Sequence, residues 1–83
     1  KEKVIGIEMD GKAKAYPFSE LNKSRSPVTD IFNKMPIQIF YDRKTRTAVI
    51  KDSKDKELPS VVGFWFAWFA FHPETKVFVA EKR

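Results

Sequence analysis

Residues 63–75 read GFWFAWFAFHPET. Six of the first nine are aromatic, and a histidine and a proline follow directly. The spacing predicts a helix over Val61–His72, opened by Pro59–Ser60 with Ser60 as N-cap. Pro73 stops it, because the residue before a proline is driven out of the α region. On a wheel of about 100° per residue, Gly63, Ala67 and Ala70 form one narrow stripe of small side chains. Val62, Phe64, Trp65, Phe66, Trp68, Phe69 and Phe71 cover the rest, more than about half the circumference. A helix apolar nearly all round is normally buried on several sides. It is therefore expected to be the hub of the fold, with a sheet on one side and residues 23–35 folded over another. The competing reading leaves part of the arc bare for a partner, a second copy or the rest of the chain, with the patch centred on Trp65 and Trp68. The segment has no Lys/Arg-rich face of the kind that surface-lying membrane helices use. Its apolar run is also only about half a membrane span.

Outward from that helix, local signals place strands. In KVIGIEMDGKAKAYPF, Ile5, Ile7 and Met9 alternate with Gly6 and Glu8, the period of a half-buried strand. Asp10–Gly11 is a two-residue hairpin turn, since both residues tolerate positive φ. The return strand, Lys12 to Tyr16, turns Ala13 and Ala15 inward, and such small residues leave room for something bulky above them. After Pro17, SELN forms a short helical turn with Ser19 as its N-cap. Residues 23–34, KSRSPVTDIFNK, show no period and read as a loop anchored by Val28, Ile31 and Phe32. MPIQIFYD and TRTAVIKD form a second hairpin around Asp42–Thr45, with Pro36 suited to a strand start or edge. KVFVA is a final strand and EKR a frayed end. The expected fold is α+β: one mostly antiparallel sheet of about five strands, two hairpins plus a C-terminal strand, packed on the aromatic-rich helix as a single small domain, residues 1–83.

Bulk properties bound what such a chain can do. Eighty-three residues bury only about 60–65% of the unfolded surface, so the core is thin. No cysteine is present to staple it. The net charge is +5, but the sixteen Lys and Arg are spread along the chain among acidic residues, as in KDSKDKE from Lys51 to Glu57. That pattern favours plain solubility over a nucleic-acid footprint, which needs a clustered basic stripe. The chain opens KEKVIGIE without an initiator methionine, which reads as a fragment or processed form of a longer chain.

Chemical machinery is sparse. His72 is the one histidine. At a helix end before a proline it reads as structural, meeting the negative end of the helix dipole. No second His and no Cys exists to build a metal site with it, so no metal or cofactor is expected. The serines have only His72 as a histidine base, and no motif links them. Asp42 and Asp52 could face each other across the second hairpin, but among basic residues they read as salt-bridge partners. Three dispersed glycines are too few for a phosphate loop.

Several short motifs resemble a bacterial family, the domain of unknown function numbered 3179. Val4, Ile5, Gly6, Gly11, Ala13, Ala15, Tyr16, Pro17, Leu21 and Asn22 are similar to its opening. Pro36 and Tyr41 are similar to its middle strand, and Trp68, His72, Pro73 and Thr75 to its closing helix and turn. The resemblance spans nearly the whole chain. Longer members carry a histidine after the Asn matched by Asn22 and a Cys-containing loop after the Tyr matched by Tyr41. Here those regions read KSRSPV and DRKTRT, so this chain looks like a short variant without that loop. The resemblance implies no settled activity and a lean towards the bacterial cell envelope.

Three functions follow as expectations. The first is a non-enzymatic structural or binding domain that contacts a protein partner, or the remainder of its own chain, through Trp65 and Trp68. The second is a vestigial enzyme-like site where Tyr16, Asn22, Tyr41 and His72 converge. The third is weak nucleic-acid binding through the basic turn of Arg43, Lys44 and Arg46.

Overall fold

The computed structural model describes residues 2–80. The predicted frayed end, residues 81–83, lies outside them. The first hairpin is as expected: β1 (Lys3–Met9) and β2 (Lys12–Pro17) pair antiparallel around Asp10 and Gly11, both at positive φ. A four-residue helix, α1 (Phe18–Leu21), follows. Its N-cap is Pro17 with no side-chain capping bond, not Ser19.

The expected loop over residues 23–34 contains a strand, β3 (Val28–Phe32), paired antiparallel with β4 (Met35–Asp42). Val28 and Phe32 are buried as anticipated, but Ile31 is 68% exposed because it falls on the opposite face of that strand. β5 (Thr47–Asp52) completes the second hairpin. In its register Asp42 lies across from Thr47 and Asp52 across from Ile37, so the two aspartates sit at opposite ends of the hairpin.

The largest correction concerns residues 61–72. Val61–Phe64 is a strand, β6, and only Trp65–Phe71 is helical, as α2. The N-cap is Phe64, without a side-chain capping bond, rather than Ser60. The final strand is short, β7 (Lys76–Val77), and runs parallel to β2. Instead of one five-stranded sheet there are two: a four-stranded sheet in the order β6-β1-β2-β7 and a three-stranded sheet in the order β3-β4-β5.

These sheets explain why the helix is not the hub. Ile5, Ile7 and Tyr16 on one face of the first sheet pack with Val28, Phe32, Ile37, Ile39, Tyr41 and Ile50 of the second. Phe18 and Leu21 of α1 join that core. The other face of the first sheet carries Val4, Ala13 and Ala15, and α2 rests there through Trp68. The four-stranded sheet is thus the middle layer of three. Alternation along β1 and β2 serves both faces at once, aliphatic and Tyr16 on one, small residues on the other.

A polar tie crosses the main core. The Lys14 ammonium and the Tyr16 hydroxyl both donate to Asp30 Oδ2, each at 2.7 Å, linking β2 to β3. Burial pushes the Asp30 carboxyl up, but bonds from Lys14, Tyr16 and the Ile31 backbone outweigh it and hold the carboxyl below its usual range. Burial first, then the bond to Asp30 and its charge, pushes the Tyr16 phenol far above its ordinary value.

Candidate interaction surface

β6 and α2 form one continuous feature at an edge of the four-stranded sheet. Val61–Phe64 pair with β1 from Gly6 back to Lys3, and among the described residues the outer side of β6 has no strand neighbour. The chain then turns into α2, and the Trp65 amide donates to the Glu2 carbonyl at 2.8 Å, closing the junction. α2 ends before Pro73 as expected, with the His72 amide on the Trp68 carbonyl at 2.9 Å.

Trp68 is the anchor. It is 7% exposed and covers Gly6 between Val4, Ala13 and Ala15. It is the bulky group for which the small residues of β2 leave room. Its indole N–H donates to Thr75 Oγ1 at 2.9 Å, and the His72 ring stacks against it with centroids 4.0 Å apart. His72 is therefore a half-buried packing partner of an indole at the helix end.

The other aromatics of α2 face outward. Phe66 is 64% and Phe71 82% exposed, and Val61, Val62, Phe64 and Phe69 are also exposed. The Phe64 and Phe66 rings lie parallel with centroids 6.3 Å apart, and half-buried Trp65 meets Phe69 at 5.4 Å, whereas Val62, across from Ile5, faces the other side of the sheet. Val61, Phe64 and Phe71 border an apolar cleft of about 200 Å³ floored by Val4 and Trp68. Residues 58–73 contain no Asp, Glu, Lys or Arg. The bare surface is thus centred on phenylalanines and valines rather than on the two tryptophans.

The remaining expected site residues are dispersed. Tyr16 is fully buried in the inter-sheet core, and Tyr41 is buried in the same core, its ring 5.0 Å from Phe18. Asn22 is exposed at the end of α1. His72 and Trp68 stand on the far face of the sheet from Tyr16, because Tyr16 and Ala15 are consecutive on β2 and point oppositely. The four residues of the enzyme-like reading therefore do not meet. A recess of about 620 Å³ lies over β3 and β4. Its one titratable group is Asp30, already engaged by Lys14 and Tyr16. Among the described residues no group of three or more His, Cys, Asp or Glu side chains could hold a metal ion, and no helix is long and apolar enough to cross a membrane.

No family model, curated protein or solved structure matches this chain. Sequence reasoning located the aromatic segment but missed the Lys14–Tyr16–Asp30 tie, since nothing local brings Asp30 to β2. Within β3, the alternation of Val28 and Phe32 with Thr29 and Ile31 was the signal that could have placed Asp30 on the inward face.

Proposed function

We propose that this chain is a non-enzymatic binding domain, and that its β6–α2 face binds a second copy of the same chain. The observation that carries this reading is the uncharged surface of Val61, Phe64, Phe66 and Phe71, joined through the Phe64–Phe66 stack and the apolar cleft, beside the outer edge of β6. With aromatics burying about 150–250 Å² each, these four expose on the order of 400 Å² of apolar surface. That lies within the roughly 300–600 Å² of a typical monomer's largest patch, which is often a functional one. It is about half of the roughly 800 Å² per partner of a standard interface, to which pairing along the β6 edge adds.

Two features favour a second copy over another partner. The face carries no charge, so nothing on it selects a charged partner, and an identical face meets it with no ion to desolvate. β6 also lacks the lysine, proline or bulge that normally blunts an edge strand. Antiparallel pairing of β6 with its own copy about a two-fold axis satisfies both edges and is self-complementary. The domain's work is then assembly, with chemistry left elsewhere.

The bacterial family suggested by the sequence motifs fits the same reading, as a short member without the Cys-containing loop. What supports it is that Gly6, Ala13, Ala15, Trp68, His72 and Thr75, all residues that carry the resemblance, pack together under α2. The lean towards the cell envelope rests on that resemblance alone.

Sedimentation velocity over a range of protein concentration tests self-association. The expected result is a dimer that tightens with salt, because salt screens the repulsion between two chains of net charge +5. Val61→Lys on the edge and Phe66→Glu on the helix should each give monomers. A wild type that stays monomeric, or dimers that persist in both variants, would sink the reading. So would a monomer that partitions onto neutral lipid vesicles through Phe66.

A further inference from the structure

The opposite end of the four-stranded sheet carries a different feature. The β1–β2 and β3–β4 turns both use paired left-handed residues: Asp10 at φ 53° with Gly11 at 77°, and Asn33 at 53° with Lys34 at 64°. These are the tightest hairpin turns. The Asn33 side-chain amide donates to Asp10 Oδ2 at 2.9 Å, which fastens the tip of one sheet to the tip of the other. Between these turns and the start of β7 lies a cleft of about 350 Å³. Its lining includes Lys12, Lys14, Lys34, Lys76, Asn33 and Glu74. That volume is within the range of small-molecule sites, roughly 300–1,000 Å³.

The charges around the cleft are not balanced. Lys14 is committed to Asp30 at 2.7 Å and lies over the Tyr16 and Phe78 rings. Lys12, Lys34 and Lys76 have no ion-pair partner among the described residues. Glu74 is the one carboxylate in the lining. Lys14 and Lys76 also stand directly opposite each other in the β2–β7 pair. Asp30 neutralises Lys14, so Lys76 is the cation of that pair left for an anion in the cleft.

We infer that this cleft binds a small ligand carrying two or more oxyanion groups, such as a diphosphate. Lys12 on β2, Lys34 on the turn and Lys76 on β7 approach it from three elements, which suits an anion with charge on more than one atom. A diphosphate carries more charge and spans further than a single phosphate, which suits ammonium groups spread over three elements. The position separates this site from the apolar face: β7 and β6 are opposite edges of the sheet. The basic turn of Arg43, Lys44 and Arg46 does not line it.

Isothermal titration with inorganic pyrophosphate, inorganic phosphate and adenosine diphosphate at fixed salt tests the inference. Pyrophosphate should bind one per chain, and more tightly than phosphate. Equal binding of pyrophosphate and adenosine diphosphate would mean that the free diphosphate suffices, and tighter binding of the nucleotide that the organic part is also held. Lys34→Asn combined with Lys76→Ala should weaken pyrophosphate binding at least about tenfold, with asparagine chosen because it tolerates the left-handed turn. Glu74→Gln should strengthen it severalfold. Arg43→Ala with Lys44→Ala removes the same charge from the β4–β5 turn, at the other end of β4 from Lys34, and should change affinity less than about twofold. The inference is overturned if pyrophosphate shows no saturable binding, or if the distant pair weakens it as much as the cleft pair. It is also overturned if a single-stranded oligonucleotide binds more tightly than pyrophosphate and does so through Arg43, Lys44 and Arg46.

Discussion

Gly6 and Trp68 touch so closely that position 6 has no room for a side chain. A Cβ there would lie 2.5 Å from the Trp68 ring. The ring cannot simply swing aside, since Thr75 holds its N–H and His72 covers it. Gly6→Ala is therefore expected to destabilise the fold by about 1–3 kcal/mol, the range for overpacking a closed site. Urea unfolding measures it, and a Gly6→Ala variant as stable as the wild type would show that α2 is loosely seated. Combined with Trp68→Leu, the same glycine change should cost less, because the clashing ring is gone.

Thr75 holds the other end of that arrangement. Thr75→Val keeps the shape but removes the acceptor for the Trp68 indole N–H, which is shielded from water. A loss of about 1–2 kcal/mol is expected. A double-mutant cycle with Trp68→Phe separates the bond from the packing: the two changes should be clearly non-additive. Simple additivity would mean that the bond contributes nothing.

The tie between the sheets depends on Asp30. Asp30→Ala strands the Lys14 ammonium and the buried Tyr16 hydroxyl, and should cost about 1–3 kcal/mol near neutral pH. Asp30→Asn should cost less, as its amide oxygen still accepts from Tyr16. The folded carboxyl titrates below its usual value, so its contribution is fully present above the unfolded pKa of about 3.9 and fades as pH falls through and below it. Wild type and Asp30→Asn should converge in stability under acid. A gap between them that stays constant down to strongly acidic pH would contradict this origin.

At alkaline pH the sign reverses. The Tyr16 phenol is raised by folding, so its contribution is present below the unfolded pKa of about 10 and is lost as pH rises above it. Stability should fall above that point by up to about 1.36 kcal/mol per pH unit from this group. In a Tyr41→Phe background the remaining phenol is Tyr16. Its phenolate absorbance should appear together with unfolding, as judged by circular dichroism. A phenol that ionises near pH 10 in a folded chain would refute the burial and bonding described for it.

Asp10–Gly11 and the alternation around it specified the first hairpin, because a two-residue turn and its flanking strands are coded within a dozen or so neighbouring positions. The second hairpin was legible for the same reason, and the small side chains of Ala13 and Ala15 announced the large group that covers them. The stop at Pro73 was equally local. Val61–Phe64 was not legible. Its residues fit a helical wheel as well as a strand, and what makes it a strand is the free edge of β1, nearly sixty positions away. β3 was hidden too, since Ile31 points outward and Asp30 inward, against the usual apolar rule, until Lys14 and Tyr16 supply Asp30 with partners. The local chain therefore determined its turns, its hairpins and the position of its aromatic cluster. Which of those rings are buried and which stay in water was decided only when the two sheets packed. The core formed between the sheets, and α2 was left covering the outer face through Trp68 alone among its buried residues. A burial pattern is a property of the partner surface as much as of the segment, and no periodicity within thirteen residues contains the partner.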